Sequence, residues 1–516
     1  MAVIFSLFIR SCQEMSETKA KQPTVAVDAN PVTPEKIDQA WDYLTNHDNN
    51  HNTDPIDLAA TRRKIDLRIM PFMFCCYFLQ FIDKVMYNYA AVMGMKQDLG
   101  LKGNNFSNAA SAFFIAYLIA EVPNVYMLQK VPPAKWLGIN VALWGVAAAA
   151  SAGAKDYPTL LTSRIFLGIF EATVGPSLML LSSQYYTKKE QAPRFTFWYM
   201  GLGVAQIFGG LISFGFQHVK NDSFEGWRIM FLVMGLITVI VGIATFFGIP
   251  DTPMKAHFLS EDEKICIIKH VSVNQTGIHS SKFNYKHILE AFLDVQVWLL
   301  TLTVVLQSVS SGVVTTYSAT LIGSMDFGGP ISALLNMPSG IVSIFFTLLV
   351  GFGIRKASNR WAWILICTIP GIIGAALMSF LPKGNKPGVL IGIYLVNAIV
   401  APLPVIYHWT AANCAGYTKR AFSSALVAGS FSIGNIIGPQ TFQQRDAPEY
   451  RPAKIAVLAT QAASAVLAVV LWQYYVWVNR RRDIAQATSG QEETVTDATA
   501  WGGFTDKENK NFRYVY

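Results

Sequence analysis

Charged residues are scarce in this sequence: Asp, Glu, Lys and Arg make up 14% of its 516 residues, about half the share found in an average soluble protein. So few charges cannot cover the water-exposed surface of a soluble chain of this length, and 52% of the residues are hydrophobic. These hydrophobic residues occur in blocks of roughly 18 to 25, the length that a helix needs to cross about 30 Å of hydrocarbon. The composition excludes a soluble fold and predicts an integral membrane protein embedded in a lipid bilayer.

Other features that the sequence lacks narrow the function further. Four of the six cysteines lie in predicted spans, so we expect no disulfide framework. The apolar start, Met1–Ile9, is short and has no basic region before it, which makes it a poor signal peptide. The absence of a G-x-x-x-x-G-K-[ST] loop excludes an ATP-driven exporter. The net charge of +8 comes from Lys and Arg in short loops and at span ends, so we expect no nucleic-acid partner.

The chain divides into two groups of six predicted spans. A polar, largely disordered tail covers residues 1–66, the first six-helix half 67–249, a middle loop 250–294, the second six-helix half 295–478 and a polar tail 479–516. In the middle loop, Leu259–His270 is typical of a short amphipathic helix that opens with a capping box, Ser260 followed by Glu263. We therefore predict an all-α membrane fold of twelve helices, with a site between the halves near the bilayer midplane. An even number of spans places both termini on one side, and the basic residues near them predict the cytosol. We expect a monomer.

Ionisable residues inside spans are costly and are functional candidates by default. The first half contains Asp83 and Lys84 in span 1, Glu121 in span 2, and Arg164 and Glu171 in span 4. The second half has no such residue inside a span, and its nearest equivalent is His408. This asymmetry suggests that the first half handles charge and protons, while the second half provides polar and aromatic selectivity.

Arg164 and Glu171 are seven residues apart, which places them on one helix face about 10 Å apart along the axis. That separation is too long for a direct ion pair. A substrate carboxylate could bind the guanidinium group of Arg164 through two parallel hydrogen bonds, and Glu171 could carry a proton. The alternative is that Arg164, Glu171 and Asp83 only pair with one another and hold the helices together. Glu121 either faces Tyr117 one turn earlier in the helix or lies near the membrane interface, and its role is left open.

Uncharged polar residues in the spans are as compatible with bonds between helices as with contacts to a substrate. They include Asn88, Gln206, Gln307, Asn336, His408, Asn413 and Asn435. A set of glycines in span 5 predicts close helix contact: Gly201, Gly203, Gly209 and Gly210.

Several motifs resemble those of the major facilitator superfamily, and within it the anion:cation symporters of the fungal allantoate permease group. Span 4 is similar to the family's R-x-x-L-G-x-x-E-A from Arg164 to Ala172. Similar matches are Gly226-Trp227-Arg228, Leu335 to Gly340, Asn413 to Arg420, Gly434 to Gln440 and Asp446 to Tyr450.

The resemblance implies roles for individual residues. Asp83 and Glu171 would be protonation sites and Arg164 would bind the substrate carboxylate. Tyr117, Gln206 and Asn435 would line the cavity. Lys84 stands where relatives often have Arg, which keeps the charge and loses the planar fork. We include Lys84, Gln307, His408 and Asn413 as further candidate substrate contacts, and leave Glu121, Asn88 and Asn336 unassigned.

These observations predict a secondary transporter that couples a proton to the symport of a small organic anion, such as allantoate, another ureide or a vitamin acid. A proton-coupled antiporter of the same fold and a transporter-like nutrient receptor are the alternatives. We expect no enzymatic activity, no metal and no cofactor besides the coupling proton. The expected location is the plasma membrane, with an internal membrane as the alternative.

Overall fold

The computed structural model describes residues 57–219, 224–272, 285–382, 384–447, 449–489, 505–509 and 512–516. Most of the predicted N-terminal tail, residues 1–56, therefore lies outside the described residues. Helices of membrane-spanning length dominate the rest, and we number them α1 to α12. Within the described ranges, eleven helices are long and apolar enough to cross a membrane. The remaining one, α3, has 19 residues and packs along α6.

Twelve long helices correspond to the two groups of six predicted spans. They are α1 Leu58–Val92, α2 Asn105–Lys130, α3 Pro133–Ser151, α4 Tyr157–Glu171 continued by Val174–Tyr185, α5 Lys188–Tyr199 continued by Gly201–Gln217, α6 Gly226–Gly248, α7 Val295–Gly323, α8 Gly329–Lys356, α9 Arg360–Phe380, α10 Lys386–Val396 continued by Pro402–Asn413, α11 Tyr417–Gln440 and α12 Arg451–Ser489. Shorter elements are the helices Met95–Asp98, Glu261–Ser272 and Tyr285–Phe292, and the 3-10 turns Pro253–Lys255, Asn397–Val400 and Gln444–Asp446.

The amphipathic helix of the middle loop is present at Glu261–Ser272. Its capping box is formed as predicted, because the backbone N–H of Ser260 donates to Glu263 Oε2 (2.9 Å) and the N–H of Glu263 donates to Ser260 Oγ (3.2 Å). Lys64, in the first turns of α1, pairs with Glu263 at 2.5 Å and ties this helix to the bundle.

Glycines allow helices to approach closely within the first half. A Cβ atom at Gly145 of α3 would stand 2.6 Å from the backbone nitrogen of Val239 in α6, and one at Gly242 of α6 would stand 2.5 Å from that of Ala142 in α3. Contacts this short are not tolerated, so only glycine permits this spacing. Close backbone approach at small residues is a common way for helices to associate in membranes.

The most extensive contacts between the halves are made by three helix pairs: α1 with α7, α2 with α11, and α5 with α8. At the last pair, a Cβ atom at Gly203 would stand 2.6 Å from the carbonyl oxygen of Gly340, and one at Gly210 would stand 2.7 Å from the Met337 side chain. The close contact predicted for the glycines of span 5 is therefore confirmed, and it lies between the halves.

Both described ends of the chain lie at one end of the bundle. Arg62 in α1 pairs with Glu190 at the start of α5 (2.8 Å), and the backbone N–H of Arg360 at the start of α9 donates to the carbonyl of Tyr516 (3.0 Å). We call this end, which carries Arg62, Glu190 and Tyr516, the tail face. An even number of spans accounts for this arrangement. That the tail face is cytosolic stays a prediction.

The C-terminal residues pack against the second half. The Asn413 side chain exchanges two hydrogen bonds with the backbone of Val515 (2.8 and 3.0 Å), and the Trp409 indole donates to the same carbonyl (2.8 Å). The Asn479 side chain does the same with the backbone of Tyr514 (2.9 and 3.0 Å). The segment therefore joins the tail-face ends of α10 and α12, a role that its polar composition does not predict.

Next to this segment, Lys419 of α11 is fully buried among three carboxylates. Its ammonium group lies 2.6 Å from Asp294, 2.7 Å from Asp506 and 2.8 Å from Glu290. Asp506 belongs to the C-terminal segment and also accepts a hydrogen bond from the hydroxyl of Tyr514 (2.6 Å). The ammonium group occupies the centre of the three acids, so each buried charge has an opposite charge beside it.

Candidate substrate-binding site

A cavity of about 560 Å3 lies between the halves. Its wall is formed by α1, α2, α4 and α5 of the first half and by α7, α10 and α11 of the second. The wall residues occupy the middle and the tail-face part of their helices, for example Tyr117 to Val122 in α2 and Ser424 to Phe431 in α11. The cavity therefore opens toward the tail face.

The opposite end of the cavity is closed by contacts between the halves. The hydroxyl of Tyr317 in α7 donates to Ser107 Oγ of α2 (2.5 Å), and Ser107 donates to the carbonyl of Phe442 (3.1 Å). The rings of Tyr317 and Phe442 stack at 4.3 Å, and the Lys96 ammonium lies 4.3 Å from the ring centre of Phe106. In this conformation the cavity is closed at that end by these contacts and open toward the tail face.

Aromatic side chains dominate the cavity wall. Tyr77 of α1 meets Trp198 of α5 edge to face with ring centres 4.8 Å apart, and lies 5.5 Å from Tyr199. The Tyr199 hydroxyl donates to the carbonyl of Val400 across the halves (3.1 Å). Tyr407 of α10 completes this set from the second half. Wide aromatic surfaces with few polar groups are typical of sites that bind small organic molecules.

Four of the five intramembrane charges form two ion pairs beside the cavity. The Lys84 ammonium contacts the Glu171 carboxylate, and Arg164 Nη1 lies 3.9 Å from Asp83 Oδ2. The guanidinium of Arg164 also lies 4.2 Å from the ring centre of Tyr87. Both ion pairs join α1 to α4. The spacing of Arg164 and Glu171 within α4 had indicated only an electrostatic coupling between these two residues at a distance.

These pairs leave polar atoms unsatisfied. Both carboxylate oxygens of Asp83, Glu171 Oε2, and the Nε and Nη1 atoms of Arg164 have no hydrogen-bond partner among the described residues. Buried groups in this state carry a desolvation cost of about 1–3 kcal/mol each, and more when charged. The quartet Asp83, Lys84, Arg164 and Glu171 can therefore gain stability by binding a proton or an anion.

Breaks in three helices lie beside the cavity. The helical hydrogen bonding of α4 is interrupted between Glu171 and Val174, that of α5 at Met200, and α10 contains the 3-10 turn Asn397–Val400. Interrupted helices at membrane depth are tolerated where they line a cavity, and they are common at transporter sites. The break in α4 directly follows Glu171, which places this carboxylate at the end of a helical segment.

The predicted site residues lie on the cavity wall, directly behind it or away from it. Those on the cavity wall are Lys84, Tyr117, Gln307 and Glu121. Glu171 and Asp83 lie directly behind the wall, paired with Lys84 and Arg164. The substrate contacts and proton roles assigned to these residues stay predictions.

Other candidates lie away from the wall in this conformation. Asn435 donates to the carbonyl of Phe431 (2.8 Å), one turn back in its own helix. His408 accepts from Arg360 Nε (3.2 Å), and Asn413 holds the C-terminal segment. Gln206 is buried in α5, and its carbonyl accepts from the Tyr89 hydroxyl. These side chains are not part of the cavity wall in the conformation described, and their contacts with substrate stay predictions.

Asn88 and Asn336, left without a role from the sequence, connect the two halves. Both donate to Ser318 Oγ of α7, at 2.8 and 2.9 Å, and Asn336 also donates to the hydroxyl of Tyr89 (3.2 Å). This network belongs to the contact between the halves and lies outside the cavity wall.

Sequence reasoning missed the aromatic wall and the contacts of the C-terminal segment. Aromatic residues are so frequent in the spans that composition does not single out Trp198 and Tyr199. The C-terminal segment was missed because its Asp, Lys and Glu residues resemble a solvated tail.

At the tail face, Glu190 links α1, α5 and the middle-loop helix. It accepts from the backbone N–H of Thr187 (2.9 Å), lies 3.0 Å from His270 and pairs with Arg62. Burial alone would raise the pKa of Glu190, but the bonds from His270 and Thr187 and the charge of Arg62 outweigh it and lower that pKa to about 2. Glu190 is thus a charged connection at the tail face.

Comparison with known proteins identifies the family. Residues 73–439 match the Major Facilitator Superfamily. The chain belongs to this superfamily. It is 39% identical over 459 residues to the thiamine pathway transporter of Saccharomyces cerevisiae, covering 88% of this chain and 86% of that protein. It is 30% identical over 495 residues to the allantoate permease of the same yeast, covering 93% and 90%.

Solved structures show the same fold. The inward open conformation of the xylose transporter XylE from E. coli matches with a TM-score of 0.61 at 14% identity, over 77% of this chain and 94% of that one. A bacterial homolog to the human lysosomal transporter Spinster matches with a TM-score of 0.56 at 17% identity, over 78% and 94%. The predicted twelve-helix major facilitator fold is confirmed, and the protein is a membrane transporter of this superfamily rather than an enzyme.

Proposed function

We propose that the protein is a proton-coupled symporter that carries a small organic anion with a carboxylate group by alternating access. One observation carries this proposal: the Lys84 ammonium contacts Glu171 on one side and forms part of the cavity wall on the other. Lys84 is therefore shared between an internal carboxylate and whatever anion enters the cavity.

A substrate carboxylate that binds Lys84 competes with Glu171 for the ammonium group. Glu171 is completely buried, and a carboxylate in apolar surroundings that loses its counter-ion binds a proton rather than remain charged. Binding of the anion and binding of a proton thus favour each other. The carrier loads one anion and one proton together, and the quartet returns to its original charge when both leave.

Arg164 has a second role in this scheme. Arg164 lies nearer the start of α4 than Glu171 does. There it contacts Tyr87, on the side where the cavity is closed. We expect Arg164 to bind the substrate carboxylate when the cavity opens on the opposite face. The anion would then pass from one cation to the other as the halves rock.

The named relatives support a small polar nutrient as substrate. One is called an allantoate permease, another a thiamine pathway transporter, and a third, 27% identical over 79% of this chain, a high affinity cysteine transporter. Allantoate, other ureides and vitamin acids are the first compounds to test. In this proposal the protein works as a monomer in the plasma membrane, with the tail face in the cytosol and no cofactor besides the proton.

The test is uptake of labelled carboxylates into cells or proteoliposomes. Uptake should accelerate at acidic external pH, and a protonophore should abolish accumulation above equilibrium. Glu171→Gln should lose accumulation and keep exchange, because the amide imitates the protonated acid. Efflux driven by inward protons would favour the antiporter instead, and signalling without flux would favour a receptor. Normal concentrative uptake by Glu171→Gln would refute the proton role of Glu171.

A further inference from the structure

The cavity wall carries two charged residues of opposite sign, Lys84 and Glu121. Lys84 is paired with Glu171. Glu121 differs, because its carboxylate forms no ion pair with any cationic side chain whose position the structure describes. A carboxylate at membrane depth, on the wall of a substrate cavity and without a counter-ion, is costly unless a ligand provides the missing charge.

The surroundings of Glu121 suit a cationic group. Tyr117 lies one turn earlier on the same face of α2, and Tyr407 approaches from α10 in the second half. An aromatic face beside a carboxylate attracts an ammonium or other organic cation, because the electron-rich ring and the negative charge act together. Cation recognition of this kind also draws the two halves together, since Glu121 and Tyr407 belong to different halves.

Tyr117 lines the cavity together with Lys84 and Glu121. The cavity wall thus carries a positive position at Lys84, a negative position at Glu121 and aromatic side chains beside them. We propose that the substrate is a zwitterion, with a carboxylate that binds Lys84 and an ammonium, pyridinium or similar cation that binds Glu121. Glu121 is then a specificity-determining residue. This inference rests on the proposed carboxylate transport and names its substrate class.

Two simpler roles for Glu121 make different predictions. A carboxylate that is only solvated at the cavity mouth gives no preference between a zwitterion and an anion of the same shape. A carboxylate that only carries protons changes the pH dependence of transport for both compounds alike. Isosteric pairs of ligands separate these cases, because they differ only in the positive charge.

The experiment uses the purified full-length protein in proteoliposomes and measures binding and counterflow with three pairs. These are N-methylnicotinate and 3-methylbenzoate, β-alanine and butyrate, and L-cysteine and 3-mercapto-2-methylpropionate. We expect the zwitterion to bind about tenfold more tightly in at least one pair, the gain from one hydrogen-bonded charge contact. Glu121→Gln should weaken the zwitterion about tenfold and leave its partner unchanged, while Glu121→Asp restores much of the preference. Lys84→Gln should weaken both members.

The outcomes distinguish this inference from the function on which it depends. If both members of every pair bind and are transported equally well, or if the anion is preferred, the zwitterion proposal is wrong and carboxylate symport stands. If Glu121→Gln lowers the affinity for both members of a pair equally, Glu121 does not recognise the cationic group of the substrate. If no carboxylate of either kind binds, both proposals are refuted.

Discussion

The carboxylate of Asp506, ten residues from the end of the chain, lies 2.7 Å from the ammonium group of Lys419 in α11. Both side chains are fully buried. A segment that the sequence presents as a polar tail therefore supplies a counter-ion to the interior of the second half. Loss of either partner leaves charge in a region that excludes water, and the first prediction follows from this contact.

Lys419→Met should lower the free energy of unfolding by about 3–5 kcal/mol, because three carboxylates then face one another without their central cation. Asp506→Asn should cost less, since Lys419 keeps Asp294 and Glu290. The measurement is the melting temperature in detergent. Asp483→Asn is the control, because its pair with Arg513 is largely exposed and contributes about 1 kcal/mol or less. Equal effects of all three substitutions would contradict the structural role of the cluster.

The second prediction concerns the contact between α5 and α8. Gly203→Ala should destabilise the protein by about 1–3 kcal/mol and slow transport, because the added methyl group collides with the backbone of Gly340. Gly215→Ala in the same helix is a matched control: its Cβ meets open space, so the change should be neutral or slightly stabilising. The readouts are the melting temperature and the uptake, with uptake normalised to the amount of surface protein. Wild-type behaviour of Gly203→Ala would contradict the tight contact.

The third prediction is a pH dependence from Glu190. Its pKa in the folded protein, about 2, lies below the ordinary value of 4.5, so its ionised form stabilises the fold. That stabilisation is present above pH 4.5 and disappears as the pH falls from about 4.5 to about 2. Glu190→Gln should therefore melt at a lower temperature than wild type at pH 6, and the difference should shrink steadily below pH 4.5. A difference that stays constant down to pH 3 would show that Glu190 acts through packing rather than charge.

The fourth prediction separates substrate binding from structural support at Arg164. Arg164→Lys keeps the positive charge and loses the planar fork and the contact with Tyr87, so the protein should reach the membrane and bind a carboxylate far more weakly. Arg164→Ala should nearly abolish uptake. If Arg164 had only a structural role, its substitution would instead lower the melting temperature of the protein, because Asp83 is left without its ion pair.

Arg360→Lys serves as the control for Arg164, because Arg360 is a buried arginine of the second half that bonds to His408 outside the cavity. It should leave substrate affinity unchanged. Unaltered affinity in Arg164→Lys, with the loss confined to melting temperature, would remove Arg164 from the substrate site.

The sequence predicted the twelve helices and located the charges, because the bilayer imposes length and polarity on each span. It offered a pair between Arg164 and Asp83 only as an alternative, and it did not predict the pair between Lys84 and Glu171. The seven-residue spacing of Arg164 and Glu171 describes one helix, whereas the actual partners, Asp83 and Lys84, come from another. Adjacent residues on α1 point to different partners on α4, and this depends on helix rotation and distance, which a single sequence does not record.

The position of polar residues in the second half was also beyond the sequence. Asn413 and His408 both lie in a predicted span, yet one side chain holds the C-terminal backbone and the other bonds to Arg360. Amide and imidazole groups can form a hydrogen bond with almost any nearby polar group. Their presence in a span therefore predicts a hydrogen bond, but it does not predict the partner. The aromatic residues of the cavity wall were not predicted either. Tyr and Trp occur throughout the spans, so the sequence does not distinguish those that face the cavity.

The position of Val515 and Tyr516 bears on how the protein can be handled. The Val515 backbone is held by Asn413 and Trp409, and the Tyr516 carbonyl accepts from the backbone of Arg360, so these two residues lie between α9, α10 and α12. A purification tag or fluorescent protein attached directly after Tyr516 competes with those bonds. A reporter attached there would record the detachment of residues 512–516 as well as the presence of the carrier.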